Sequence, residues 1–197
     1  MNEQIQILEQ AASLLSGLEQ TFAFIGSITI ALYLEQVSAL EVRPTKDVDC
    51  VVKASSKAEY YSLFEQLRQI GLHEDSSSGV ICRWRYQEKL IIDIMPTNQE
   101  VLGFANRWYD TGLQNCIPYN LPSGTKINIF PVAYLLATKI EAFEGRGNRD
   151  FYSSKDFEDI VSLVNGCLDL EVEIQGADRE VKTFIIDWFH SNLEILQ

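Results

Sequence analysis

The sequence predicts an α+β fold: a small mixed β-sheet core flanked by helices, followed by a helical C-terminal lobe. Three observations predict it. Residues 1–130 alternate short apolar runs with stretches of helical period. From Pro131 onward the helical period runs almost without interruption. The 197 residues are 46% hydrophobic and 22% charged, enough apolar side chain to bury a core without staples. The expected division is therefore 1–130 for the core with its N-terminal helix and 131–197 for the lobe.

The elements follow in order. Residues 4–19 place Ile5, Leu8, Ala12, Leu15 and Leu18 on one stripe, an amphipathic helix. TFAFI (21–25) is a short apolar strand that ends at Gly26-Ser27, and a helix is predicted from Ser27 to about Gln36. DVDCVVK (47–53) reads as a strand. Residues 56–70 read as a helix with Tyr60, Phe64, Leu67 and Ile70 inward. VICRWRY (80–86) and LIIDIM (90–95) read as two strands joined by a tight turn at Gln87-Glu88. Residues 98–106 read as a short helix, and a stretch with Pro118, Pro122 and Gly124 leads to a strand at 126–130. Pro131 suits a first helical position, opening a helix to about Phe143. After the loop GRGNRD (145–150), helices are predicted over Ser154–Val164 and roughly 177–195.

Composition excludes several function classes. The formal net charge of −12 disfavours broad, sequence-independent phosphate binding, which needs a basic surface. No apolar run approaches the roughly 18–20 residues that span a bilayer. MNEQIQILEQ has no basic patch and no apolar signal core, so a cytoplasmic protein with no membrane role is expected. Cys50, Cys82, Cys116 and Cys167 lie more than 30 residues apart, and His73 and His190 are the only histidines. Buried free thiols are expected rather than disulfides or a zinc site. A metal held here would be held by carboxylates, which points to magnesium or manganese.

The carboxylates stand in a suggestive pattern. In a strand, residues two apart share a face, so Asp47 and Asp49 project together while Val48 and Cys50 point to the other side. Two like charges side by side need a positive partner, and a divalent cation is one remedy. Alone, the DVD run reads equally as a strand opening at a solvated edge. Asp93 is embedded among Ile91, Ile92, Ile94 and Met95, where an unpaired charge is costly. Two readings stand for it: a third ligand to a shared magnesium site, or an ion pair with Arg83 or Arg85 on the facing strand. Gly26-Ser27 has two readings as well: a phosphate-cradling turn at a helix start, or a plain turn with Ser27 as N-cap.

Taken together, Gly26-Ser27, Asp47-Val48-Asp49 and Asp93 resemble the nucleotidyltransferase superfamily. The approach RPTKDVD (43–49), with Arg43, is similar to the AbiEii/AbiGii-type toxin branch, as is the spacing from Ser27 to Asp47. LLATKIEAF, with Lys139, and SSKDFEDI, with Asp156 and Asp159, extend the resemblance over about residues 22–165.

The resemblance implies transfer of NMP from an NTP to a hydroxyl acceptor. Asp47, Asp49 and Asp93 would be the metal ligands, with Mg2+ or Mn2+ as cofactor. Gly26, Ser27, Arg43 and Lys139 would lie toward the nucleotide. Asp156 or Asp159 would position the nucleophile or Lys139, so that the lobe completes the active site. It implies a tRNA or protein acceptor and a toxin role with an antitoxin partner. Two alternatives accompany it: a catalytically silent nucleotide- or partner-binding protein on the same fold, and a small-molecule, antibiotic-type nucleotidyltransferase. The NTP used and the oligomeric state stay open.

The residues of the second region also have readings of their own. Lys139 shares a helix face with Val132, Leu135, Leu136 and Phe143, so its ammonium needs a triphosphate, Asp156 or Asp159 as partner. Asp156 has a capping reading with Ser153. Arg146 and Arg149 read as phosphate grips or as solvated side chains. Trp84, between Arg83 and Arg85, reads as a base-stacking surface or as core.

Overall fold

Helix α1 (Glu3–Leu15) buries Leu8, Ala11, Ala12 and Leu15 and ends four residues earlier than its apolar stripe suggests. This is a computed structural model, and it describes residues 3–34, 43–87, 89–147 and 149–192. The chain divides into two units, one of Met1–Thr29 and Pro44–Phe130 and another of Ile30–Arg43 and Pro131–Gln197.

The first unit holds a seven-stranded mixed sheet. Its strands are β1 (Phe22–Ile25), β2 (Asp47–Val52), β3 (His73–Glu74), β4 (Arg83–Tyr86), β5 (Leu90–Pro96), β6 (Ile117–Asn120) and β7 (Lys126–Ile129). They run in the order β3-β4-β5-β2-β1-β7-β6. The centre is a parallel pair, β2 with β5, flanked by antiparallel β1 and β4. One face of that centre is core: Val48, Cys50, Ile92, Ile94, Phe24 and Trp84 are all essentially inaccessible to solvent. Helix α3 (Lys57–Gln69) covers it. Phe64 meets Trp84 edge-on, and the Tyr60 hydroxyl donates to the Ile94 carbonyl at 2.7 Å. Ser56 caps α3 by accepting from the Glu59 N–H. Trp84 is thus core, and the base-stacking reading falls away.

Several short elements lack a sequence signature. Edge strand β6 contains Pro118, which only an edge tolerates, and much of it is exposed. Strand β3 is two exposed residues. Helix α4 (Gln99–Leu102) is one turn stopped by Gly103 in the left-handed region, shorter than the 98–106 expected. Helix α5 (Tyr109–Gln114) carries a glycine mid-helix, a poor local signal. Gly112 is there because a Cβ would overlap the Phe130 ring.

Helix α2 spans Ser27–Ile30 alone and passes into turns; residues 35 and 36 of the longer helix expected from sequence lie outside the described residues. In the second unit α6 (Val132–Glu144) is central. It is buried almost all round, Lys139 included, which fits a helix surrounded by others. Against it pack α7 (Lys155–Gly166), α8 (Leu170–Gly176) and α9 (Arg179–Asn192). Pro131 stands one residue earlier than expected, at the N-cap of α6. The LEVEI run of α8 alternates apolar and acidic residues, so no helical period marks it.

Candidate active site

The polar face of the central sheet in the first unit carries the acids. Parallel register sets Asp49 directly beside Asp93, with Asp47 opposite Ile91 two residues earlier on the same face. The alternation read from DVDCVV holds, since Val48 and Cys50 are buried on the far side.

Adjacent like charges need a cation, and strand β4 brings one. Arg83 lies opposite Asp93 in the antiparallel ladder. Its Nε donates to Asp93 Oδ1 at 2.8 Å and its Nη2 to Oδ2 at 2.8 Å, a bidentate fork. The same Nη2 donates to Asp47 Oδ2 at 3.2 Å. Hydrogen bonding to Asp93 raises the Arg83 guanidinium above its ordinary pKa; burial opposes this, and the Asp93, Asp47 and Asp49 charges reinforce it. The Asp93 side chain is 11% exposed, whereas that of Asp47 is 41% exposed. The ion pair with Arg83, one of the two sequence readings of Asp93, is therefore formed. Arg85 is engaged elsewhere: its Nε donates to Asp75 Oδ2 at 2.7 Å.

Gly26 closes one side of the acidic face. Its φ of +80° favours glycine, and a Cβ at this position would overlap the Asp49 carboxylate. Glycine here serves close approach: the turn backbone and Asp49 occupy the same few ångströms. Ser27 is buried just after it, and the Thr29 hydroxyl and N–H both donate to the Gly26 carbonyl. With a single helical turn behind it, this bend offers backbone groups rather than a long helix dipole.

Among the described residues, no group of three or more His, Cys, Asp or Glu side chains is arranged to hold a metal ion. The donor chemistry still fits a hard divalent cation. Three carboxylates share one face, the Gly26 turn lies against the Asp49 carboxylate, and a cationic group already bridges Asp93 and Asp47. Magnesium and manganese suit such oxygens; zinc would seek nitrogen or sulfur. Cys50 and Cys82 are buried free thiols. Burial, then the nearby Asp93 and Asp49 charges, push the Cys82 thiol up to about 12.

The second unit carries its own charge cluster. Lys139 Nζ lies 2.6 Å from Asp159 Oδ2 and 3.6 Å from Asp156 Oδ1. Arg146 grips Asp156 through two hydrogen bonds of 2.9 Å, and Arg43 Nη2 lies 3.7 Å from Asp159 Oδ1. Burial pushes the Asp156 carboxyl up, but the Arg146 hydrogen bond and the Lys139 and Arg146 charges outweigh it and hold it below its ordinary value. Ser154, not Ser153, caps α7. The capping reading of Asp156 is therefore replaced by pairing with Arg146 and Lys139. Arg149 meets Glu144 at 3.4 Å and Asn192 at 3.2 Å, so neither loop arginine is merely solvated.

Sequence reasoning missed Asp75, a buried acid that accepts from the Ser77 and Ser78 N–H groups and the Ser77 hydroxyl while holding Arg85. The run Asp-Ser-Ser-Ser (75–78) is the composition of such a turn and was its available signal.

No family model matches the chain, and no curated protein matches it. Solved structures do. An antigenic nucleotidyltransferase-like protein from Paracoccidioides brasiliensis aligns with 98% of this chain and 90% of its own, at 18% identity and a TM-score of 0.59. The antibiotic-resistance factor ANT(2'')-Ia aligns over 97% of this chain and 95% of its own, at 12% identity and a TM-score of 0.52. A second structure of ANT(2'')-Ia, in complex with adenylyl-2''-tobramycin, gives 13% identity and the same TM-score of 0.52. The fold is that of these nucleotidyltransferase-like proteins.

Proposed function

We propose that the chain is a magnesium- or manganese-dependent nucleotidyltransferase that moves NMP from an NTP to a hydroxyl acceptor and releases pyrophosphate. The observation that carries this reading is the register of β2 and β5, which sets Asp49 against Asp93 with Asp47 on the same face beside the Gly26 bend.

Asp47, Asp49 and Asp93 would hold the metal. When bound, it supplies positive charge to the phosphates and makes a hydroxyl more acidic. The chain's own residues do the rest. Gly26 and Ser27 give the triphosphate a bend without side-chain bulk at its entry. Asp47, whose side chain is 41% exposed, faces the incoming nucleotide. Asp93, whose side chain is 11% exposed on the central strand, is the acid on the acceptor side. Alignment of the attacking hydroxyl with the α-phosphorus, with pyrophosphate opposite, and stabilisation of the developing charge together supply the acceleration. Lys139, Asp156, Asp159 and Arg43, in the second unit, pair with one another, and we assign them a structural role.

For the acceptor, two classes compete. The resemblance of RPTKDVD supports a tRNA or protein acceptor and a toxin paired with an antitoxin. The end-to-end fold likeness to ANT(2'')-Ia, together with a net charge of −12, supports a cationic small molecule. The Arg83 fork supports the catalytically silent alternative. One experiment separates them: each α-labelled NTP with Mg2+, offered tRNA, protein and aminoglycoside acceptors, wild type against Asp47→Ala/Asp49→Ala. Label on one acceptor class, lost in the double variant, supports transfer and names the acceptor. NTP binding without label on any of them supports the silent alternative.

A further inference from the structure

The Arg83 guanidinium stands where the acidic face needs positive charge. It consumes both oxygens of Asp93 and, through the same Nη2, one oxygen of Asp47. Those are oxygens that a divalent ion would also use. Arg83 is well placed to let go. It projects from β4, one strand from the sheet edge, on a long side chain that is 19% exposed, and Asp47 beside it is open to solvent. Asp49, in register beside Asp93, adds a third carboxylate to the same face.

We propose that Arg83 is a built-in counter-ion that competes with the divalent metal for Asp93 and Asp47, so that loading the site requires the guanidinium to release both carboxylates. This rests on the reading of the face as a metal site. It adds a resting state in which the acids are held in position and neutralised by the protein itself. It makes Arg83 a positioning residue: in the resting state it keeps a buried carboxylate from standing unpaired.

The test is Mn2+ binding to the full chain, followed by the loss of the free-ion paramagnetic resonance signal, with no nucleotide present. Four proteins are compared: wild type, Arg83→Gln, Arg83→Lys and Asp49→Asn. Arg83→Gln removes the competitor and binds Mn2+ about tenfold more tightly than wild type, a modest gain for releasing one charge pair. Arg83→Lys keeps the charge but loses the fork, and falls between. Asp49→Asn removes the tight site and identifies it among other acidic positions. Thermal denaturation gives a second readout: Mn2+ raises the midpoint of Arg83→Gln more than that of wild type, because the ion restores the missing counter-charge.

Equal or weaker Mn2+ affinity in both arginine variants would overturn the competition and leave the metal site standing. Should Arg83→Gln fail to fold, Arg83→Lys against wild type decides the same question. Absence of any Asp49-dependent Mn2+ site in all the proteins would overturn the metal-site reading and this inference with it.

Discussion

The molecule solves the same electrostatic problem twice, in different ways. In the first unit, three acids share one sheet face, the Arg83 guanidinium bonds two of them, and the Asp47 side chain is 41% exposed. In the second, Asp156 and Asp159 enclose Lys139, and the lysine and Asp159 side chains are 7% and 2% exposed. The buried cluster has its charges matched within the fold, so its removal shows up as lost stability. The sheet-face cluster is open to solvent at Asp47. Its removal shows up as lost ligand binding. Paired acids open to solvent are placed to take a ligand; paired charges sealed from solvent support the fold.

The largest expected effect breaks the sealed side. Asp159→Ala leaves the Lys139 ammonium buried with its nearer carboxylate gone, at a cost of about 3–5 kcal/mol in urea unfolding. Lys139→Met combined with Asp159→Leu recovers most of that loss, because no charge is then left stranded. A loss below about 1 kcal/mol for Asp159→Ala would show that water reaches the cluster.

Asp49→Asn is the mirror experiment. It removes one of two adjacent like charges, so unfolding stability stays level or rises slightly. Nucleotidyl transfer is expected to fall by about 10²–10³. If stability and transfer fell together in this variant, the contrast between the two clusters would dissolve.

Gly26→Ala sharpens the point. A φ of +80° and an overlap with the Asp49 carboxylate make alanine cost about 1–3 kcal/mol. It also displaces Asp49, so Mn2+ binding and transfer drop along with the melting temperature.

The smallest effect is acid sensitivity. The Ser77 hydrogen bonds, opposed by burial and reinforced by Arg85, lower Asp75 from 3.8 to about 2. A carboxyl depressed in the folded state stabilises fully above its unfolded value and loses that contribution as pH falls through the folded one. Asp75 therefore supports the fold above about pH 4, and its contribution fades between 3.8 and about 2. Asp156, also lowered, acts in the same sense. Carboxyl NMR titration checks both, and Arg85→Gln is expected to shift the Asp75 midpoint upward.

Much of the site was legible because strand geometry is periodic. Two residues apart on DVD means one face, and an acid inside LIIDIM demands a partner, whichever fold surrounds it. The choice of Arg83 over Arg85 was not legible. It depends on the β4–β5 register, which sets Arg83 opposite Asp93 and Arg85 opposite Ile91, and on Asp75 taking Arg85. Helix α5 and strand β6 were hidden for a related reason. Gly112 and Pro118 argue locally against helix and strand, and only the Phe130 ring and the sheet edge reverse that argument.

The central claim, that the Asp47–Asp49–Asp93 face transfers a nucleotidyl group, has a direct measurement. The protein is incubated with Mg2+ and the same NTP labelled in parallel at the α- and the γ-phosphate, with the acceptor panel present. The account requires α-label on the acceptor, γ-label released in pyrophosphate, and loss of both signals in Asp49→Asn. Label from the γ-position on the acceptor, or α-transfer that survives Asp49→Asn, would contradict it.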